Sequence, residues 1–183
     1  MWMLIIIGQF LKKKSKDLEG AIIDYEKCIS VDDNFELPYN NLGLLLANNY
    51  KYNKAIPYLT KALLLNPDLV SGHSYRGFAY MHTDDYLFAI KDFTTAIQLK
   101  PSDPFNYFNR GISWGFLKNY IEEIKDYEKT IELNPNHMDA FHNLAIAYGE
   151  SGDQQKSIEN FIKAAQLGHI SAQNYLSKIK IVW

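Results

Sequence analysis

Apolar residues return every three or four positions along most of this chain, with polar residues filling the gaps. That spacing places the apolar positions on one face of an α-helix. Over residues 70–101 it forms two such runs, joined by the polar turn His82-Thr83-Asp84-Asp85. The pattern reappears 34 residues away in both directions. A period of that length belongs to arrays of stacked helix pairs. Pro67, Pro101 and Pro135 stand at this step, as do Gly43, Gly77 and Gly111, with Ala145 next in the series. The bulky series Leu59, Phe93, Tyr127 and Phe161 keeps it too. The pattern predicts five helix pairs, over residues 2–34, 36–69, 70–103, 104–137 and 138–169. A helix over 170–183, apolar on one side and polar on the other, closes the series as a cap.

In chain order, residues 4–11 read as the first helix, with Gly8 at its crossing point. Asp17 is the expected N-cap of the next helix, which carries Ala21, Tyr25 and Cys28 on one face and ends near Val31. The second pair shows Tyr39, Leu42, Gly43 and Leu46, then Ala55, Leu59 and Ala62. Pro57 falls early in its second helix, so a kink or a late start is expected there. In the third pair Asp85 is the expected internal N-cap, and Ala89, Phe93 and Ala96 form the stripe. Asp103-Pro104 is a start signal for the fourth, with Asp103 as N-cap and Pro104 as the first helical residue. Glu123 and Thr130 replace alanines in that pair, so it is expected to fit less tightly, with Glu123 reaching toward solvent.

Tyr39, Leu42, Gly43, Leu46, Ala55, Leu59, Ala62 and Pro67 occupy the signature sites of a tetratricopeptide repeat, and nearly the whole chain resembles that family. Departures fall at His73, Arg76, Arg110, Glu123, Thr130, Ser157 and His169. Residues 163–176 also resemble a Sel1-like repeat. The resemblance implies an all-α fold, a right-handed α-solenoid of stacked helix–turn–helix repeats in a single array. The first helix of each pair would then line a concave face.

Composition narrows the function classes. Apolar residues make up 47% and charged residues 22%, which describes a folded chain. A net charge of −2 argues against nucleic acid as a partner. The apolar run at residues 1–11 precedes its lysines, the reverse of a secretory signal, and is too short to span a bilayer. With Cys28 as the one cysteine, a cytoplasmic location is expected unless the N-terminus is truncated. His73, His82, His137, His142 and His169 lack the short spacing to other ligands that metal sites use. Gly111 and Gly115 sit within a helix and not in a phosphate loop. The sequence thus offers no catalytic set, no metal site and no cofactor.

What is left is an interaction surface. The expected function is a non-catalytic scaffold holding a protein or peptide in its groove. The alternative is a substrate-recruiting or regulatory domain of a larger enzyme or complex. On the repeat register the groove carries Asn40, Asn41 and Leu44, then Tyr75, Phe78 and Met81. Phe105, Phe108, Asn109 and Ile112 follow, and His142, Asn143 and Ile146 complete the row. Some family members grip a terminal carboxylate with lysine and arginine. Here those sites hold Ser71, Tyr75, Phe105 and Asp139, so no such clamp is expected. Arg76 and Arg110 stand where Leu42 and Leu144 stand in other repeats, and Asp92 and Asp126 lie opposite them. The expected ion pairs are Arg76 with Asp92 and Arg110 with Asp126. The sequence leaves the oligomeric state open.

Overall fold

The computed structural model of the chain describes residues 18–183. The helix expected over residues 4–11, Gly8 and the capping role of Asp17 lie outside the described residues. Those described form ten helices: α1 (Leu18–Val31), α2 (Glu36–Asn48), α3 (Tyr52–Leu65), α4 (Val70–Met81), α5 (Tyr86–Leu99), α6 (Pro104–Phe116), α7 (Tyr120–Leu133), α8 (Met138–Ser151), α9 (Gln154–Gln166) and α10 (Ile170–Lys178). The fold is all-α, an α-solenoid of stacked helix–turn–helix repeats. The chain divides into two compact units, Met1–Thr83 and Asp84–Trp183. The division falls inside the expected third repeat, at the turn between α4 and α5, and not between repeats.

In the first unit α1 packs on α2, α3 on α2, and α4 on both α2 and α3. Leu42, Leu46, Ala47, Ala55, Leu59 and Ala79 form its buried cluster. Gly43 is what lets α2 and α3 approach, because a Cβ there would collide with the branch point of Leu59. In the second unit each helix from α5 to α10 packs on the next. Gly111 repeats the seam, since a Cβ would lie 2.8 Å from the Tyr127 ring. Tyr127, Leu144, Ala147 and Tyr148 form one buried cluster. Phe161, Ala164 and Ala165 of α9 close a second with Ala145, Ala172 and Leu176.

The turns have a shared geometry that the hydrophobic pattern does not announce. After α2, Tyr50 N donates to Ala47 O (3.0 Å) and Lys51 N to Leu46 O (2.9 Å). The same two bonds close α6, from Lys118 N to Gly115 O (2.9 Å) and from Asn119 N to Trp114 O (3.0 Å). They close α8 through Gly152 and Asp153. This helix stop needs one residue in the left-handed region. Tyr50 (φ 59°), Asp84 (φ 62°), Lys118 (φ 56°) and Gly152 (φ 96°) supply it at the 34-residue step. A side chain in that region costs about 1–2 kcal/mol, part of which glycine gives back through a freer unfolded chain. Lys118→Gly is therefore expected to raise stability by about 0.5–1 kcal/mol in urea unfolding. A loss of stability would show that the lysine side chain itself supports the turn.

Four local expectations meet different outcomes. Asp103 caps α6 by accepting from Phe105 N (3.1 Å), with Pro104 first in the helix. Asp85 occupies the N-cap position of α5, but its side chain makes no capping bond. Pro57 does not delay α3, which starts at Tyr52 and runs through it. The cap helix is shorter than expected and stops at Lys178. There Lys180 turns left-handed (φ 61°), and Ile181 N closes the helix on Leu176 O (3.0 Å).

Candidate functional site

In the first unit the expected groove residues come from α2 and α4. Asn41, Leu44, Tyr75 and Phe78 are half-buried and can still touch a partner. Asn40 is not available, at 4% exposure, and its Oδ1 accepts from Ser71 Oγ (3.3 Å). Met81 is likewise buried. These two are corrections to the register reading. A 34-residue step fixes which helix face a residue shares, but not how deep it sits beside the neighbouring helix. The Phe78 ring meets Tyr52 and His82 edge-on, and Tyr52 stacks on His82 at 4.4 Å. Burial pushes the His82 imidazole below its ordinary value, favouring the neutral ring.

In the second unit the row comes from α6 and α8. Phe105 is 36% exposed and Ile146 44%, while Phe108, Ile112, His142 and Asn143 are half-buried. Asn109 is the third correction. It is buried, and its Nδ2 donates to Phe105 O (2.7 Å) within its own helix. Such a bond satisfies an asparagine internally and removes it from recognition. Phe108 leans on Tyr127 (5.8 Å) and His137 (4.5 Å). His142 stacks on His169 at 4.0 Å, and His169 Nε2 lies 3.5 Å from Asp139 Oδ1. Burial, with His169 adding to it, holds the His142 imidazole below its ordinary value. The row is therefore apolar and aromatic, with neutral polar groups between.

Beneath this face sits an ion pair. Arg110 Nε donates to Asp126 Oδ2 (2.8 Å) and Nη2 to Oδ1 (2.7 Å), a two-pronged contact. Its Nη1 donates to Thr94 Oγ1 (3.0 Å). The Asp126 side chain is 5% exposed and that of Arg110 19%. In the first unit Arg76 makes the equivalent Nη1 bond, to Thr60 Oγ1 (3.2 Å). Asp92, at the site equivalent to Asp126, is buried in the second unit.

Glu123 reverses the expectation set for it. It does not reach solvent but is 7% exposed. The reason is Gly115 on the facing helix. A Cβ there would lie 2.6 Å from Glu123 Oε1, so the missing side chain is the seat of the carboxyl. Burial pushes that carboxyl up to about 7, against a hydrogen bond from Tyr127 that pulls it down, with Glu150 adding to the rise. The register alone could not show this seat, although Glu123 was visible as a departure from the repeat pattern.

Other chemistry is sparse. Among the described residues no group of three or more His, Cys, Asp or Glu side chains could hold a metal ion. Nor is any described helix long and apolar enough to cross a membrane. Cys28 is buried, and burial pushes its thiol up, which makes it a packed core side chain. One cleft was not foreseen. It has a volume of about 510 Å³ and lies between α1 and α3, where Ile22, Glu26, Pro57 and Tyr58 line it.

Residues 3–35, 37–69 and 126–159 each match a model of the tetratricopeptide repeat, together more than half of the chain. The chain belongs to the tetratricopeptide-repeat family. The third match starts within α7 and ends within α9, so it straddles two of the expected repeats of this tetratricopeptide-repeat chain. None of the three reaches the Sel1-like residues 163–176. Crystal structures of MamA share the fold. One is 26% identical, with a TM-score of 0.82, over 88% of this chain and 95% of its own. A second is 24% identical over 98% and 96%, also at 0.82. A third, from Desulfovibrio magneticus RS-1, is 21% identical over 88% and 90%, at 0.81. No curated protein sequence matches the chain.

Proposed function

We propose that this protein is a non-catalytic scaffold that holds a segment of a partner polypeptide against the first helices of its repeats. The observation that carries it is the row on α6 and α8. Phe105, Phe108, Ile112 and Ile146 keep apolar surface open while Asn143 and His142 offer neutral polar groups between them. Such a face suits an extended or helical segment with apolar side chains, because aromatic anchors dominate binding energy at interfaces. Asn41, Leu44, Tyr75 and Phe78 offer the same chemistry in the first unit. The partner needs no free C-terminus, since the clamp cations are missing from the sequence. A reducing compartment such as the cytoplasm fits the buried thiol of Cys28.

The test begins with peptides selected on the full chain from a random displayed library. Phe108→Ala with Ile146→Ala is expected to weaken capture about tenfold or more. Leu87→Ser with Ile121→Ser, at exposed sites on α5 and α7, is expected to leave it unchanged. The opposite outcome places binding away from the groove and overturns the proposal.

A further inference from the structure

We propose that the edge of the first unit around Lys51 and Lys54 docks an acidic segment of a partner polypeptide, one with an apolar side chain on either side of its carboxylates. The proposal stands apart from the groove reading, since the lining of this edge includes none of the groove row. Two clefts open beside these lysines, and Lys51, Asn53 and Lys54 line both. The larger, of about 510 Å³, lies between α1 and α3, with Ile22, Leu46 and Pro57 as its apolar wall. The smaller, of about 240 Å³, is walled by the rings of Tyr50, Tyr52 and His82. Tyr52 stacks on His82 at 4.4 Å with planes 5° apart. Phe78 props both rings edge-on, at 6.0 and 4.5 Å. Tyr50 meets Tyr52 edge-on at 6.3 Å and is 82% exposed. An aromatic wall is thus built before any partner arrives.

Charge decides what this surface takes. Among the described residues lining either cleft, Glu26 is the only carboxylate, and its Oε1 accepts from the Tyr58 hydroxyl (3.5 Å). Lys51 and Lys54 are both exposed. Lys51 is the N-cap residue of α3 and Lys54 lies in its first turn, where the helix dipole disfavours a cation. The corresponding positions of later pairs hold Asp85 and Phe88, Asn119 and Glu122, and Asp153 and Lys156. Helix stability therefore does not account for two lysines here, whereas the carboxylates of a partner complement them. Two pockets that share a ridge of cations suit a chain with side chains to place in each. The smaller lies below the about 300 Å³ at which small-molecule sites begin, so it holds a single side chain. Nucleic acid fits less well. Two cations are few for a phosphate backbone, and the aliphatic wall of the larger cleft gives a base nothing to stack on.

The test pans a displayed peptide library with a fixed Glu-Glu centre and random flanks on the full chain. Enriched peptides are expected to carry an aromatic residue on one flank and an aliphatic residue on the other. Lys51→Ala with Lys54→Ala is expected to weaken their binding about tenfold or more, as is a Gln-Gln centre in the peptide. Both lysines are exposed, so their exchange leaves the core untouched. Phe108→Ala with Ile146→Ala is expected to leave this binding unchanged. Flanks that stay random, binding that survives the lysine exchange, or binding that is lost with Phe108 and Ile146 overturns the proposal. Displacement of the peptides by an equal concentration of oligothymidylate also overturns it, in favour of a nucleic-acid site. Failure here leaves the groove reading intact, whereas failure of the groove test leaves this surface intact.

Discussion

Arg110→Leu alone is expected to destabilise the protein by about 3–5 kcal/mol, and adding Asp126→Asn is expected to recover much of that loss. The leucine leaves the Asp126 carboxylate buried at 5% exposure with neither prong of its contact. A buried charge without its partner is the expensive species, not the pair itself. The double variant reproduces what the fifth repeat already holds, Leu144 opposite Asn160 at the equivalent sites. Its cost is therefore expected to stay below about 2 kcal/mol, a strong non-additivity. Denaturant unfolding of the two single variants and the double variant measures it. Additive losses would mean that the two side chains do not work as a unit.

Glu123→Gln is expected to stabilise the protein above neutral pH by up to about 3 kcal/mol and to change little in acid. The carboxyl is raised in the folded chain to about 7, from about 4.5 when unfolded. A raised acid binds its proton more tightly when folded. Its favourable contribution is thus complete below about pH 4.5 and is lost as the pH climbs through about 7. Glutamine keeps the shape without the charge and removes that loss. Stability curves of the two proteins should converge near pH 4.5 and part steadily toward pH 8. Parallel curves across that window would show that Glu123 stays ionised and comfortable inside the fold.

The sequence carried the helices well and the depths poorly. Pro, Gly and the apolar step located α4 and the start of α6 because each is a local signal with a local cause. Burial is a property of two helices at once. Asn109 and Phe108 are neighbours on α6, yet one bonds back to Phe105 O and the other stays half-open. Glu123 illustrates the same limit. Alone it reads as a surface charge, and Gly115 alone reads as a small residue at a crossing. Only their opposition shows a seat and its occupant. The fifth repeat has a milder form, in which a Cβ on Gly149 would meet Ser157 Oγ at 3.3 Å. The left-handed turns stayed hidden because Tyr50, Asp84 and Lys118 are poor markers of that geometry.

The groove itself can be tested by cross-linking. A benzophenone side chain is placed at Ile146 on α8 in one preparation of the full chain and at Ile121 on α7 in another. Both positions are exposed, at 44% and 69%. Each protein is irradiated with the same selected peptide. Adducts from Ile146 and none from Ile121 are predicted. Adducts from Ile121 with none from Ile146 would contradict binding on the α6–α8 face.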